Sequence, residues 1–323
     1  GSLYGSIIYN KAPIMMRQLE TTMGKEVFQK GIQKYIQKYA NSNADWEDLV
    51  EILDKGTTLN MKKWSDVWVN QSGRALFTDH IEYGDAQTIK NFVLRQQAED
   101  GSPNVWPQIF EIGLVYPDTI KVIQVNVNSR ITEIKEAIGL QKPISVIYNY
   151  NGYGYGVFPI DPNNLDKTPE IKDEVARAYS YINAYENTLT GKITAVKAFD
   201  VFVKGIAVEQ NELIVKLLSN QLSSIFWDFL TIKQQVVAQA ELEQLLFNKL
   251  QTELPSNIKK TIFGLFESIA YSKTGKEKLY QIWNKEIAIA NLKLNEDDYI
   301  NMAMDLAIYN HERSDEIVRK TRA

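Results

Sequence analysis

The hydrophobic period of this chain changes twice, and that constrains its fold more than any single motif does. Up to about residue 74, apolar residues recur at helical spacing. From about Ala75 they alternate, with β-branched and aromatic residues enriched. Beyond about residue 166 the helical spacing returns and lasts to the end. A side-chain period of 2 cannot sit on a helix, nor a period of 3.6 on a strand. The pattern therefore predicts a multidomain α+β chain: helices, then an antiparallel β-sandwich, then an all-α helical array. The boundaries fall at 1–74, 75–165 and 166–323. At 323 residues the chain is long enough for such a division.

In the first segment Met15, Met16, Leu19 and Met23 mark one helix, with Pro13 in its first turn and Gly24 as its stop. Phe28, Ile32, Tyr35, Ile36 and Tyr39 form a second stripe. Asn43 is placed to cap a third helix, whose apolar face is Trp46, Leu49, Val50 and Leu53. Asp45, Glu47 and Asp48 read as solvated first-turn residues that favour its positive end, not as a catalytic carboxylate cluster. Asn60 caps a fourth helix carrying Trp64, Val67 and Trp68. The three tryptophans read as core.

The middle segment holds short strands such as Phe92–Leu94, Ile109–Ile112, Ile120–Val127 and Ile144–Ile147. Turn formers separate them: Asp100-Gly101-Ser102-Pro103, Pro117-Asp118 and Asn151-Gly152. Six or seven strands without intervening helices predict a sandwich. The Gly-rich run Asn151-Gly152-Tyr153-Gly154-Tyr155-Gly156 is followed by no helix start. It therefore reads as a tight Tyr/Gly hairpin and not as a phosphate cradle. Pro159–Pro169, with three prolines, reads as a linker. Thr168-Pro169, Leu254-Pro255 and Asn295 are predicted helix starts in the last segment.

Composition removes several classes of function. There is no cysteine, which excludes disulfides, thiol catalysis and Cys-ligated zinc. The only histidines, His80 and His311, are far apart and outside any H-E-x-x-H pattern, so no two- or three-His metal site is complete here. His80 reads as a strand-surface residue and His311 as a helix-end one. A formal charge of -4 argues against nucleic-acid binding. No apolar run is long enough to span a membrane. Compartment and oligomeric state are not encoded in these features.

Five segments, in order, resemble the M1 family of zinc aminopeptidases, the gluzincin group. Tyr9-Asn10-Lys11-Ala12 resembles its Y-x-K-(G/A) segment. Phe28–Ile36 is similar to its F-x-x-G-(L/I)-x-x-Y-(L/I) helix, and Ala44–Leu49 to its A-x-x-x-D-L segment. Trp64–Gly73 resembles the W-x-x-Q-x-G closing helix. Gly154–Asp161 is similar to the G-Y-Y-R-V-N-Y-D strand, with Val157 and Pro159 in place of its Arg and Asn.

The resemblance implies that residues 1–74 are the C-terminal helices of a thermolysin-like catalytic domain, followed by the sandwich and a superhelical domain. It implies that Tyr9 is catalytic: a neutral phenol donating to the carbonyl oxygen that becomes negative in the tetrahedral intermediate. Lys11 at the family's lysine position is read as structural. The family's zinc motif and Glu base would precede Tyr9. Zinc is therefore expected in a full-length parent, and no metal or other cofactor site in this fragment, which is expected to be inactive alone. The expected partner is a peptide substrate, trimmed from its N-terminus by the parent. The competing expectation is a non-catalytic peptide- or protein-interaction module of a degenerate M1-like protein.

Overall fold

The computed structural model describes residue 5 and residues 7–321. It divides into two compact units, Gly1–Asp161 and Pro162–Ala323. The architecture is mixed α/β, with two small sheets and many helices.

In the first unit a π-helical turn, Ile7–Lys11, runs directly into α1 (Ala12–Met23). Pro13 sits in the first turn of α1, and Gly24, at φ 84°, ends it. Met15, Leu19 and Met23 are buried on one face, as their spacing requires. In α2 (Lys25–Tyr39) the expected stripe is only half-buried, and Ile36 is exposed. Helix α3 (Trp46–Asp54) buries Leu49, Val50 and Leu53. Its cap is Asp45 and not Asn43: Asp45 accepts from the backbone N–H of Asp48, and the Asp48 carboxylate accepts from that of Asp45. Asn60 caps the short α4 (Met61–Ser65) as expected, and a π-helical turn, Asp66–Asn70, follows. Trp64 and Trp68 stack at 5.3 Å, and Trp68 donates to the Pro107 carbonyl.

Seven strands follow: β1 (Ala75–Tyr83), β2 (Ile89–Ala98), β3 (Gln108–Val115), β4 (Ile120–Val127), β5 (Ile131–Glu133), β6 (Ser145–Tyr148) and β7 (Gly156–Val157). They form a four-stranded sheet in the order β5-β2-β1-β7 and a three-stranded sheet in the order β4-β3-β6. Every pairing is antiparallel except β1 with β7. That parallel pairing needs glycine at 156. Its φ is 151°, and a Cβ there would lie 2.4 Å from the Ala75 carbonyl oxygen.

Phe77 on β1 joins the two sheets. It meets Phe110 edge-on at 5.6 Å and stacks on Phe158 at 4.8 Å. The buried Tyr148 hydroxyl on β6 donates to Asp79 on β1 at 2.7 Å, a second link between the sheets. One hydrophobic core runs from Met15 and Leu53 through Trp68 into both sheets. The helices before residue 74 and the strands after it therefore share an interior.

The second unit begins with a 3₁₀ turn, Leu165–Glu170. It buries Leu165 and pairs Asp166 with Lys197 and Lys204, so this half of the Pro-rich segment is docked and is not a free tether. Thr168-Pro169 lies inside that turn, and the first α-helix starts later, capped by Asp173. The helices are α5 (Glu174–Leu189), α6 (Ala195–Val208), α7 (Glu212–Ser224), α8 (Ile232–Leu250), α9 (Ser256–Ile269), α10 (Lys273–Trp283), α11 (Glu296–Ile308) and α12 (Ser314–Thr321). A π-helical turn, Ile225–Phe229, extends α7. Pro255 precedes α9, and Asn295 caps α11 through a reciprocal bond with Asp298, as read from the sequence. Helix α9 packs on α7 and α8, and α11 on α10 and α12. Phe202, Leu218, Phe226, Leu246, Phe266 and Leu279 fill the interior. No helix among the described residues is long and apolar enough to cross a membrane.

Candidate functional site

Tyr9 lies in the π-helical turn that leads α1. Its neighbours Tyr4 and Ser6 fall outside the described residues. Such turns widen the helix by one residue per turn and redirect side chains. Tyr9 is 79% exposed, so its hydroxyl can reach a molecule approaching from outside. Two residues on, Lys11 is half-buried, with its ammonium 5.6 Å from the centre of the Tyr155 ring. Burial pulls the Lys11 pKa below its ordinary value.

The opposite face of the same helix is fixed with directional bonds. Gln18 is 0% exposed. Its Nε2 donates to the carbonyl of Ile109 at 2.7 Å and to that of Tyr153 at 2.6 Å. Its Oε1 accepts from the Ile109 N–H at 2.8 Å. One side chain thus ties α1 to β3 and to the Gly-rich loop. Arg17 adds an outer clasp: Nη1 donates to the Tyr153 hydroxyl at 3.0 Å, and the guanidinium lies 5.0 Å from that ring's centre.

The loop itself is held by amide side chains. Tyr155 N–H donates to Gln108 Oε1 at 2.8 Å, and Gln108 Nε2 donates back to the Tyr155 carbonyl at 3.2 Å. Asn149 exchanges the same two bonds with Gly154. The segment is not a hairpin, because β6 and β7 lie in different sheets. It is a crossover whose backbone groups are satisfied by Gln18, Gln108 and Asn149 in place of a partner strand.

The other residues singled out in the sequence go elsewhere. Asp45 and Asp48 form the α3 capping box, and the Tyr39 hydroxyl donates to Asp48 at 2.5 Å. His80 is exposed on β1, 2.9 Å from Glu82. His311 is buried in the turn between α11 and α12, stacked on Tyr280 at 4.9 Å, with its Nδ1 accepting from the Arg313 N–H. Val157 is buried on β7, and Phe158 beside it stacks on Phe77. Sequence reasoning missed Gln18 and Gln108. The available signal was a polar residue at 18 on the same helical face as Met15 and Leu19.

Comparison with known proteins identifies this helical region. A peptidase family M1 domain matches residues 1–68, which take in Tyr9, Lys11, Gln18 and α1 to α4. Residues 1–68 thus carry a likeness to peptidase family M1. The chain is 24% identical over 237 residues to aminopeptidase N of Streptomyces lividans, covering 68% of this chain and 27% of that protein. That match is longer than either unit and so takes in residues of both. Glutamyl aminopeptidase of Sus scrofa is 32% identical over 103 residues, covering 32% of this chain and 11% of the relative. Aminopeptidase M1-D of Oryza sativa subsp. japonica is 38% identical over 101 residues, covering 31% and 12%. The chain therefore spans about a quarter or less of the length of these M1 relatives.

Zinc is the metal that the M1 family implies. Among the described residues no group of three or more His, Cys, Asp or Glu side chains could hold a metal ion. The described residues do not fit a zinc site.

Proposed function

We propose that this chain is the part of an M1-type aminopeptidase that presents the transition-state donor Tyr9 and carries the spacer and helical domains behind it. The whole protein removes N-terminal residues from peptides. In this reading residues 1–74 close a thermolysin-like catalytic domain, 75–165 form a β-sandwich spacer and 166–323 a superhelical array. The chain by itself has no turnover.

The single observation that carries this reading is the placement of Tyr9, exposed at the head of a helix whose other face is buried and hydrogen-bonded to β3. When water adds to a peptide carbonyl, the oxygen gains negative charge. A neutral O–H donor that is already in place stabilises that charge without reorganising and without adding a positive charge of its own. The flanking Lys11 ammonium lies 5.6 Å from the centre of the Tyr155 ring, whereas Tyr9 is exposed, so the phenol is the donor presented outward.

Tyr9→Phe in the full-length protein tests this. The phenyl ring keeps the shape and removes one O–H. Turnover of an aminoacyl anilide should fall by about 10²-fold or more, with KM little changed, because the bond tightens mainly in the transition state. Turnover near that of the wild type removes Tyr9 from the mechanism.

A further inference from the structure

We propose that Gln18 is a positioning residue for Tyr9, acting through the helix that carries both. This rests on the reading of Tyr9 given above. Met15, Leu19 and Met23 bury apolar surface, and apolar contact tolerates small slides and rotations because it has no preferred direction. Hydrogen bonds do have one. Gln18 makes three, all to backbone, and two of them exchange a donor and an acceptor with a single residue, Ile109.

A two-point contact of this kind fixes both the height and the rotation of α1 on β3. Its outer neighbour, the Arg17–Tyr153 pair, is exposed and holds less firmly. Tyr9 lies nine residues before Gln18, about 14 Å along the same rod at the rise of a regular helix. It is 79% exposed among the described residues, so little of its own surface is packed there. A slip or rotation at Gln18 is therefore carried to the Tyr9 hydroxyl. Displacements near 1 Å at a reacting group can cost about 10²-fold in rate.

The arrangement also explains why a glutamine occupies an otherwise apolar face. A methionine there would fill the same volume but leave the Ile109 N–H, the Ile109 carbonyl and the Tyr153 carbonyl without these partners.

The test is a double-mutant cycle in the full-length protein, read as kcat and KM on an aminoacyl anilide. Gln18→Met should lower kcat by about tenfold or more with KM changed less than twofold. In the Tyr9→Phe background the same substitution should cost less than about threefold, because the group it positions is already gone. If Gln18→Met lowers kcat by the same factor in both backgrounds, or not at all while Tyr9→Phe is strongly impaired, the inference fails and the reading of Tyr9 stands. If Tyr9→Phe itself is without effect, both fall.

Gln18→Glu guards against a variant that does not fold. Its carboxylate can accept from the Ile109 N–H but repels the two carbonyls, whereas the protonated acid can again donate to one of them. Its kcat relative to wild type at the same pH should therefore rise as pH falls. A ratio independent of pH also overturns the inference.

Discussion

Glu267, on α9, should make the second unit lose stability as pH rises through neutrality. Its Oε1 is buried without a hydrogen-bond partner among the described residues. Burial, and next the charges of Asp305 and Asp298 on α11, push its carboxyl from 4.5 up to about 8, against the pull of Lys260. Asp298 is itself paired with Lys260, and burial also pushes Asp305 up. Below pH 4.5 the carboxyl is protonated in both the folded and unfolded chain, so it costs nothing. Between 4.5 and about 8 the unfolded chain releases this proton while the folded chain keeps it, so unfolding gains free energy with each step in pH. At about 1.4 kcal/mol per pH unit, the loss reaches about 3 kcal/mol by pH 7 and about 5 kcal/mol above pH 8.

Glu267→Gln keeps the shape and cannot ionise. The assay is urea unfolding of the 323-residue chain, followed by far-UV circular dichroism at about pH 5, 7 and 8.5. Wild type and variant should be similar near pH 5. The variant should be more stable by about 3–5 kcal/mol at pH 8.5, and its midpoint should fall less with pH. Parallel pH profiles for the two proteins, or a variant that is weaker at pH 8.5, would refute the reasoning.

Two further perturbations act on the same unit. Gly275→Ala should destabilise by about 1–2 kcal/mol, the overpacking outweighing the roughly 1 kcal/mol by which alanine is the better helix former. Its Cβ would stand 2.6 Å from the carboxylate of Glu243, which is buried and accepts from Gln239 and from the Ser272 N–H at the start of α10. A rise in urea midpoint would show that this contact does not govern. Arg177→Met should cost about 3 kcal/mol at pH 7, because it leaves the buried Glu209 carboxylate with only the N–H groups of Gln210 and Asn211 and no opposite charge. The pair is 2.7 Å apart with side chains only 12% and 6% exposed, and Arg177 also donates to the Ile171 carbonyl. A loss below about 1 kcal/mol, the scale of a surface pair, would contradict the assignment.

The local devices of this fold were legible in the sequence where a signal and its partner lie within a few residues. Pro13 and Gly24 bracket α1, Asn60 caps α4, and Asn295 with Asp298 starts α11. The change of period at Ala75 coincides with the first residue of β1. Where two competent residues stood close together the wrong one was favoured: Asp45 takes the α3 cap from Asn43 because its partner Asp48 sits three residues on and closes the box. The stripe of α2 overreached at Ile36, since periodicity shows which residues share a face and not how much of that face is covered. The Gly-rich loop carried a turn signal, but nothing in a turn says whether the strands it joins pair with each other.

The site divides along the same line. Tyr9 is a candidate because a resemblance draws attention to it; the bonds of Gln18 were not legible, because its partners Ile109 and Tyr153 are 91 and 135 residues away. The M1-matched segment, residues 1–68, contains Tyr9 and the helix that carries it, yet the acceptors that fix that helix lie on β3 and in the β6–β7 crossover, outside the match. Trp68, at the end of the segment, is buried and donates to Pro107, also outside it. The helices of 1–68 bury Leu19, Leu53 and Trp68 in the same core as Phe77, Phe110 and Phe158. Cutting the chain after residue 68 would expose that face and leave the Gln18 amide without its acceptors. On the proposed reading, Tyr9 would meet substrate from a helix that residues beyond 68 hold in place.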